Sequence, residues 1–92
     1  MTDKVLTVDI VTPEKAIVSE EKATLVSAPA TLGRVGILPG HMPLVSTLEK
    51  GELHLVEQNG KEIHMQIGPG FIQVRDNQVI VLVEEAKRQD AP

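Results

Sequence analysis

Apolar and polar residues alternate along most of this chain, and that two-residue period restricts its fold more than any other feature. Leu6, Val8 and Ile10, for example, alternate with Thr7 and Asp9, which is the pattern of a strand with one buried face. Turn residues recur roughly every eight to twelve positions, a spacing typical of an antiparallel β-sandwich or barrel. We therefore predict an all-β fold of about nine short strands.

The strands themselves are predicted from apolar runs between turn residues. After a turn at Thr12–Glu14, we expect two separate strands at 16–18 and 23–28, divided by the charged residues 20–22. Pro29 should end the second of them. Further strands are predicted at 35–38, 44–48, 71–74 and 79–83. The last of these runs is apolar throughout, which predicts burial on both faces.

The dipeptide Asn59–Gly60, between two alternating runs, predicts a β-hairpin. A two-residue loop would divide the apolar residues of the hairpin between its two faces. A three-residue loop, Gln58–Gly60, pairs Leu55 with Ile63 on one face and leaves Gly60 at the left-handed position that such loops require. We predict the three-residue loop, with a G1 bulge.

The charge balance restricts the possible partners. Nine Lys and Arg residues against thirteen Asp and Glu residues give a formal net charge of -4, the wrong sign for binding a phosphate backbone. Phe71 is the sole aromatic residue, so we exclude nucleic acid as a partner. No apolar run approaches the roughly 20 residues of a bilayer span, and the N-terminus has no signal-peptide pattern. We expect a soluble, non-secreted protein that does not insert directly into a membrane.

Charge is scarce between residues 23 and 48, where Arg34 is the only charged side chain. Prolines and glycines interrupt this stretch and forbid a continuous helix, so it consists of strands and loops. One interpretation is plain core; the other is that part of it is an exposed apolar loop facing a protein partner. The prolines of Gly36–Leu44 likewise fit either a rigid docking loop or a packed crossover.

The sequence offers little for catalysis. Cysteine is absent, no serine lies in a Gly-x-Ser-x-Gly elbow, and Gly33 and Gly36 are not followed by the Lys-Ser/Thr of a phosphate loop. We assign no catalytic residue and no cofactor, and we do not expect an enzyme.

Two of the histidines raise the question of a metal site. In the preferred hairpin register His54 and His64 face each other on the outer face, flanked by Glu52 and Glu62. These side chains could hold a divalent cation, but a flat face without a cavity favours solvated histidines, and we assign no metal site. The alternative function is a free-standing small β-sandwich that binds a metal or small ligand on the His54 and His64 face.

The sequence GILPGHMPL at Gly36–Leu44 closely resembles the GILPGHAPL signature of the epsilon subunit of F-type ATP synthases, differing at Met42. Other segments match that family in order and spacing, namely Val11–Glu14, Leu48–Gly51, Gly68–Val74 and Asn77–Leu82. The resemblance covers about residues 4–88.

The resemblance implies a flattened antiparallel β-sandwich, so that about nine to ten short strands are expected here. It implies a non-catalytic rotor subunit of the central stalk, which links the gamma subunit to the c-ring and helps to couple ion flow to ATP synthesis. Such a subunit would be peripheral on the cytoplasmic face of an energy-coupling membrane, either a bacterial inner membrane or a thylakoid. Its association with the membrane would be through the complex.

The interface residues implied by the resemblance form two sets. The gamma subunit would be contacted by Leu38, His41, Met42, Ser46 and Thr47. The c-ring would be approached by Thr31, Leu32, Gly33, Arg34 and Val35. The family commonly has Glu where Arg34 stands, so either the ring offers an acid here or the contact is made by backbone and apolar groups.

The resemblance also implies a division of the chain. Residues 1–86 would form the β-sandwich, and residues 87–92 a short tail where the family's C-terminal helical hairpin would begin. Since the sequence has no such hairpin, we expect no helix-mediated inhibition. Residues 84–88 are the one segment that could start a helix, of about one turn.

Overall fold

Nine β-strands and their connections account for residues 4–89, the part of the chain that the computed structural model describes. The strands are β1 (Leu6–Val11), β2 (Ala16–Ala30), β3 (Gly33–Ile37), β4 (Leu44–Leu48), β5 (Gly51–Glu57), β6 (Glu62–Ile67), β7 (Gly70–Arg75), β8 (Gln78–Val83) and β9 (Ala86–Arg88). The all-β prediction is confirmed, and the extents of 37 × 32 × 23 Å agree with a flattened shape. The described residues contain no helix with the length and apolarity that crossing a bilayer requires.

The strands form a sandwich because β2 takes part in both layers. Its first half pairs with β1, and its second half pairs with β3 and β5. One layer continues from β1 through β8 and β7 to β4, and the other from β5 through β6 to β9. All pairs are antiparallel except β1 with β8, which run parallel. Within residues 4–89 the side chains buried between the layers are apolar.

The charged segment 20–22 does not divide two strands, as the sequence predicted, but lies inside the continuous β2. Glu20 has a positive φ of 51°, and the β1–β2 register shifts on either side of Ile10, so the strand is bulged rather than broken. The carboxylate of Asp9 accepts a hydrogen bond from the Glu20 N–H at 3.0 Å. This bond satisfies a backbone donor that the bulge removes from the ladder.

The prediction that Pro29 ends its strand is also wrong, since β2 continues to Ala30. Pro29 pairs with Arg34, one pair before the turn that joins β2 to β3. In a hairpin closed by a two-residue turn, the second pair from the turn is a non-hydrogen-bonded one, so the β2–β3 ladder does not need an N–H from Pro29. The Pro29 carbonyl accepts a hydrogen bond from the Glu49 N–H at 2.8 Å.

The β5–β6 hairpin has the predicted register. Leu55 pairs with Ile63 and His54 with His64, which leaves the three-residue loop Gln58–Gly60. Gly60 has a φ of +94° and donates its N–H to the Glu57 carbonyl at 2.8 Å. The hydrophobic pattern and the turn chemistry select the same register, which is why the sequence was sufficient here.

Two predictions near the C-terminus are corrected. Val79–Val83 is buried on one face only, because β8 packs against the core with alternate residues and leaves Leu82 about half exposed. Residues 86–88 form β9 instead of a helical turn, and they cover the edge of β6 through pairs such as Met65 with Arg88. The predicted boundary between the β-sandwich and the tail, after residue 86, falls inside β9. Residues 1–3 of the predicted β-sandwich and residues 90–92 of the predicted tail lie outside the described residues.

An acidic pair at one end of the sandwich gives a pH-dependent prediction. Burial raises the pKa of Glu21, and the nearby Glu57 carboxylate, which is also its hydrogen-bond partner, raises it further. When the pKa of a carboxyl group is higher in the folded protein than in the unfolded chain, the folded protein becomes less stable as the pH rises from the unfolded-state pKa through the folded-state pKa. We therefore expect Glu21→Gln to raise the melting temperature at neutral pH and to lose this advantage in acid.

Thermal unfolding between about pH 4 and pH 7.5 tests this expectation. Glu14→Gln, which removes the same charge from an exposed turn, is the matched control. A shift of equal size and pH dependence in both variants would show that net charge, and not the Glu21–Glu57 pair, is responsible.

Candidate functional site

The motif loop between β3 and β4, residues 38–43, is anchored against the β7–β8 turn. Asn77, which has a positive φ of 63°, accepts a hydrogen bond on its side-chain oxygen from the Gly40 N–H at 2.7 Å. The His41 N–H donates to the Leu38 carbonyl at 3.0 Å. With these bonds in place, Leu38 and Met42 project from the loop with 57% and 77% of their surface exposed. The loop therefore presents apolar side chains on a fixed backbone.

The ring of His41 is turned back onto its own loop. Its Nδ1 lies 2.7 Å from the carbonyl oxygen of Met42, which fixes the ring orientation. His41, a member of the predicted gamma-contacting set, thus also stabilises the conformation of the loop.

The other two residues of that set, Ser46 and Thr47, lie on opposite faces of β4. Ser46 pairs with the buried Ile72, whereas Thr47 pairs with the exposed Phe71. Neighbouring residues of a strand point to opposite faces, so the two side chains cannot both meet one partner on the outside. Thr47 is the one placed outward.

Thr47 belongs to a row of side chains that crosses four strands. Thr47 pairs with Phe71, Phe71 with Leu82, and Leu82 with Val11. Val45, two residues before Thr47, lies on the same face and is 73% exposed. We call Val45, Thr47, Phe71 and Leu82 the outer apolar face.

The outer apolar face was not predicted from the sequence apart from Thr47. Phe71 and Leu82 are about half exposed, and a groove of about 740 Å³ runs between them and the Val11–Pro13 segment. A signal was present in β7, where Phe71, Gln73 and Arg75 alternate with two buried residues. This alternation places the aromatic side chain of Phe71 on the same outer face as the polar Gln73 and Arg75.

The second predicted set, 31–35, lies at the other end of β3. Thr31 and Leu32 form a two-residue turn between the paired Ala30 and Gly33, and Leu32 is fully exposed at its tip. Val35 points the other way, because it packs against the core opposite the buried Ala28. Of the apolar residues in this set, Leu32 is therefore the one on the surface.

The guanidinium group of Arg34 is held by its own sheet. Its Nε donates to Ser27 Oγ at 2.8 Å, and its Nη2 donates to the carbonyl oxygen of Glu52 at 2.6 Å. A further contact of 3.4 Å joins Nη2 to the Ser27 carbonyl. The Nε and Nη2 donors, which form one edge of the guanidinium group, are thus already used within the chain.

The two predicted sets meet where β2 and β4 end. The Thr31 N–H donates to the Thr47 carbonyl at 3.1 Å, and the two threonine hydroxyls are hydrogen-bonded to each other. The tip of the β2–β3 turn is therefore fixed relative to the outer apolar face.

The outer face of the β5–β6 hairpin carries the histidines as predicted. The rings of His54 and His64 are stacked with centroids 4.4 Å apart and an angle of 9° between their planes. Glu52 and Glu62 flank them, and one oxygen of Glu62 lies near both rings.

A family model described as the β-sandwich domain of the ATP synthase delta/epsilon chain matches residues 5–89. The chain belongs to this family. Among its relatives, the ATP synthase epsilon chain of Herpetosiphon aurantiacus is 48% identical over 82 residues, covering 89% of this chain and 59% of the relative. The epsilon chain of Pelotomaculum thermopropionicum is 41% identical over 90 residues, covering 98% of this chain and 66% of the relative. The chain thus spans less than two thirds of these ATP synthase epsilon chains.

Solved structures confirm the fold of this delta/epsilon-family domain. A chain in the Euglena gracilis mitochondrial ATP synthase, in a structure of its OSCP, F1 and c-ring, has a TM-score of 0.89 at 24% identity. That match covers 96% of the present chain and 56% of the other. A chain in the central stalk and c-ring structure of the Tetrahymena thermophila mitochondrial ATP synthase has a TM-score of 0.73 at 18% identity, covering 92% and 66%.

Proposed function

We propose that this chain serves as the β-sandwich of a non-catalytic central-stalk subunit in an F-type ATP synthase, linking the gamma subunit to the c-ring. The family match over residues 5–89 is the observation that carries this proposal. In that role the domain transmits torque between two neighbours through complementary surfaces and needs no active site. Family membership does not favour the alternative of a free-standing binding module.

The gamma subunit is proposed to bind the motif loop and the outer apolar face. Leu38, Met42, Val45 and Phe71 are large apolar side chains with more than half of their surface exposed. Exposed apolar groups of this kind are typical of a protein interface when they cluster beside a rigid backbone. This assignment keeps Leu38, His41, Met42 and Thr47 from the predicted set and moves Ser46 to a supporting position inside the sheet.

The c-ring is proposed to contact the tip of the β2–β3 turn, with Leu32 as the anchor. Two explanations were open for Arg34, an acidic partner on the ring or a contact through backbone and apolar groups. The intramolecular hydrogen bonds of Arg34 favour the second. Thr31 and Gly33 flank Leu32 at the tip, while Arg34 and Val35 hold the turn on the sandwich.

The proposed location follows from these partners. A domain bound to both gamma and the c-ring is peripheral on the cytoplasmic face of the energy-coupling membrane and is held there by the complex. Coupling of ion flow to ATP synthesis is its proposed contribution.

Alanine substitutions in the loop test the gamma assignment. Leu38→Ala combined with Met42→Ala should weaken binding to purified gamma subunit by about tenfold or more, because buried apolar anchors dominate interface energy. Calorimetric titration measures the dissociation constant, and circular dichroism checks that the fold is kept.

Leu32→Ala is the matched control because it removes a fully exposed apolar side chain at the other end of β3. It should leave gamma binding unchanged and weaken retention on c-ring-containing complexes. An unchanged affinity of the loop variant for gamma would remove the loop from that interface, and equal losses in both variants would argue against two separate surfaces.

A further inference from the structure

We propose that the outer face of the β5–β6 hairpin binds a divalent zinc-type cation through His54, His64 and Glu62. This site is independent of the proposed stalk function, and it lies on the layer opposite the outer apolar face. The sequence favoured two solvated histidines at this place. The distances between the side chains favour a metal site instead.

Three potential ligand atoms converge on one point of the hairpin. Glu62 Oε1 lies 3.3 Å from His54 Nε2 and 3.7 Å from His64 Nε2, and one ligand atom from each of the three residues lies within 4.8 Å of the others. Ligands of a tetrahedral zinc ion at about 2.0–2.1 Å are separated from one another by roughly 3.3 Å. The Glu62–histidine distances are thus near the required spacing. To bind one ion, the two stacked rings must rotate out of their parallel arrangement, so that the lone pairs of both nitrogens point at the same position.

Glu52 sets the ring of His64 for ligation. Its Oε2 lies 3.0 Å from His64 Nδ1, a geometry in which Nδ1 carries the proton and donates it. The Nε2 of that tautomer has a free lone pair, and it is the nitrogen that faces Glu62. A histidine held by a carboxylate through its other nitrogen is the usual arrangement around a protein-bound metal.

The Nε2 atom of His54 is also suited to be a metal ligand. It is buried and makes no hydrogen bond, although the Glu62 carboxylate lies beside it. A buried ring nitrogen without a hydrogen bond is costly, whereas a cation between it and the carboxylate satisfies both groups.

The donor set indicates the class of ion. Two imidazole nitrogens and one carboxylate oxygen suit zinc and its neighbours among the first-row metals, not calcium or magnesium, which prefer oxygen ligands. Three protein ligands leave a fourth position open on the solvent side. The ion would join β5 to β6 across their central pair, His54 with His64.

Titration of the full, untagged chain with zinc chloride in a non-chelating buffer tests the proposal. We expect one zinc per chain, a zinc-dependent rise in melting temperature, and visible absorption typical of a tetrahedral site when cobalt replaces zinc. His64→Gln should weaken zinc binding by about tenfold or more, and Glu52→Gln, which removes the orienting carboxylate, by about 10- to 100-fold. His41→Gln, at the histidine outside the cluster, is the matched control and should bind as the parent does.

Chemical modification gives a readout that needs no variant. Zinc should protect His54 and His64, but not His41, from diethyl pyrocarbonate, as read by mass spectrometry. Absence of zinc binding, binding unchanged in the His54→Gln/His64→Gln double variant, or equal protection of all three histidines would each overturn the proposal.

Discussion

Gly70→Ala should be among the most destabilising single substitutions in this domain. A Cβ atom at position 70 would overlap the Leu82 carbonyl oxygen and would lie 2.7 Å from Val83 Cα and 2.9 Å from Leu82 C. These are backbone atoms of the neighbouring β8, so no side-chain rotation can relieve the overlap. The β7–β8 pairing must open, and we expect a loss of about 3 kcal/mol or more, at the upper end of overpacking effects.

Chemical denaturation at equilibrium measures this loss, and Gly36→Ala is its matched control. Gly36 also lies in a strand, but an added Cβ there meets no atom within 4 Å. The control should change the free energy of unfolding little, because alanine fits extended backbone and restricts the unfolded chain. Equal stability of the two variants would contradict the close approach of β7 and β8 at Gly70.

Leu55→Ala should remove a large part of the total stability. Leu55 is fully buried on β5, where it pairs with Val26 of β2 and Ile63 of β6. Truncating such a side chain leaves a cavity and costs about 2–5 kcal/mol. For a domain of this size that loss corresponds to a fall of roughly 10–30 °C in melting temperature.

The matched control for Leu55→Ala is Val45→Ala, which shortens an exposed side chain of the outer apolar face. Little apolar surface is exposed to water by that change, so the melting temperature should move by only a few degrees. A small effect of Leu55→Ala would mean that the core collapses around the cavity. A large effect of Val45→Ala would mean that the outer apolar face is packed in the isolated domain.

Local pattern was sufficient wherever two short-range signals agreed. In the β5–β6 hairpin, the apolar alternation and the left-handed Gly60 both require a three-residue loop, and the structure has that loop. The cross-strand pairing of His54 with His64 followed directly. In β2 the local signals were misleading. The charged residues 20–22 and Pro29 predicted that strands would end there, but tertiary contacts keep β2 continuous from Ala16 to Ala30.

Contacts distant in sequence explain the corrected elements. Asp9 satisfies the backbone at Glu20, so the charged segment is a bulge and not a loop. The open edge of β6 recruits Ala86–Arg88 as a strand, because edge pairing supplies hydrogen bonds that an isolated helical turn cannot. The outer face of β8 is uncovered because the second layer packs on its other side.

The sequence by itself determined the class of fold, the hairpin register and, through the GILPGHMPL segment, the family, since each depends on residues close together in the chain. Only the tertiary structure decided which side chains share a surface. In the structure, Ser46 and Thr47 lie on opposite faces of β4, and Thr47 shares the outer face with Phe71 and Leu82. The guanidinium group of Arg34 donates a hydrogen bond to Ser27. The physical reason is that side-chain direction and exposure depend on which strands become neighbours, and that choice is made by burial over the whole domain.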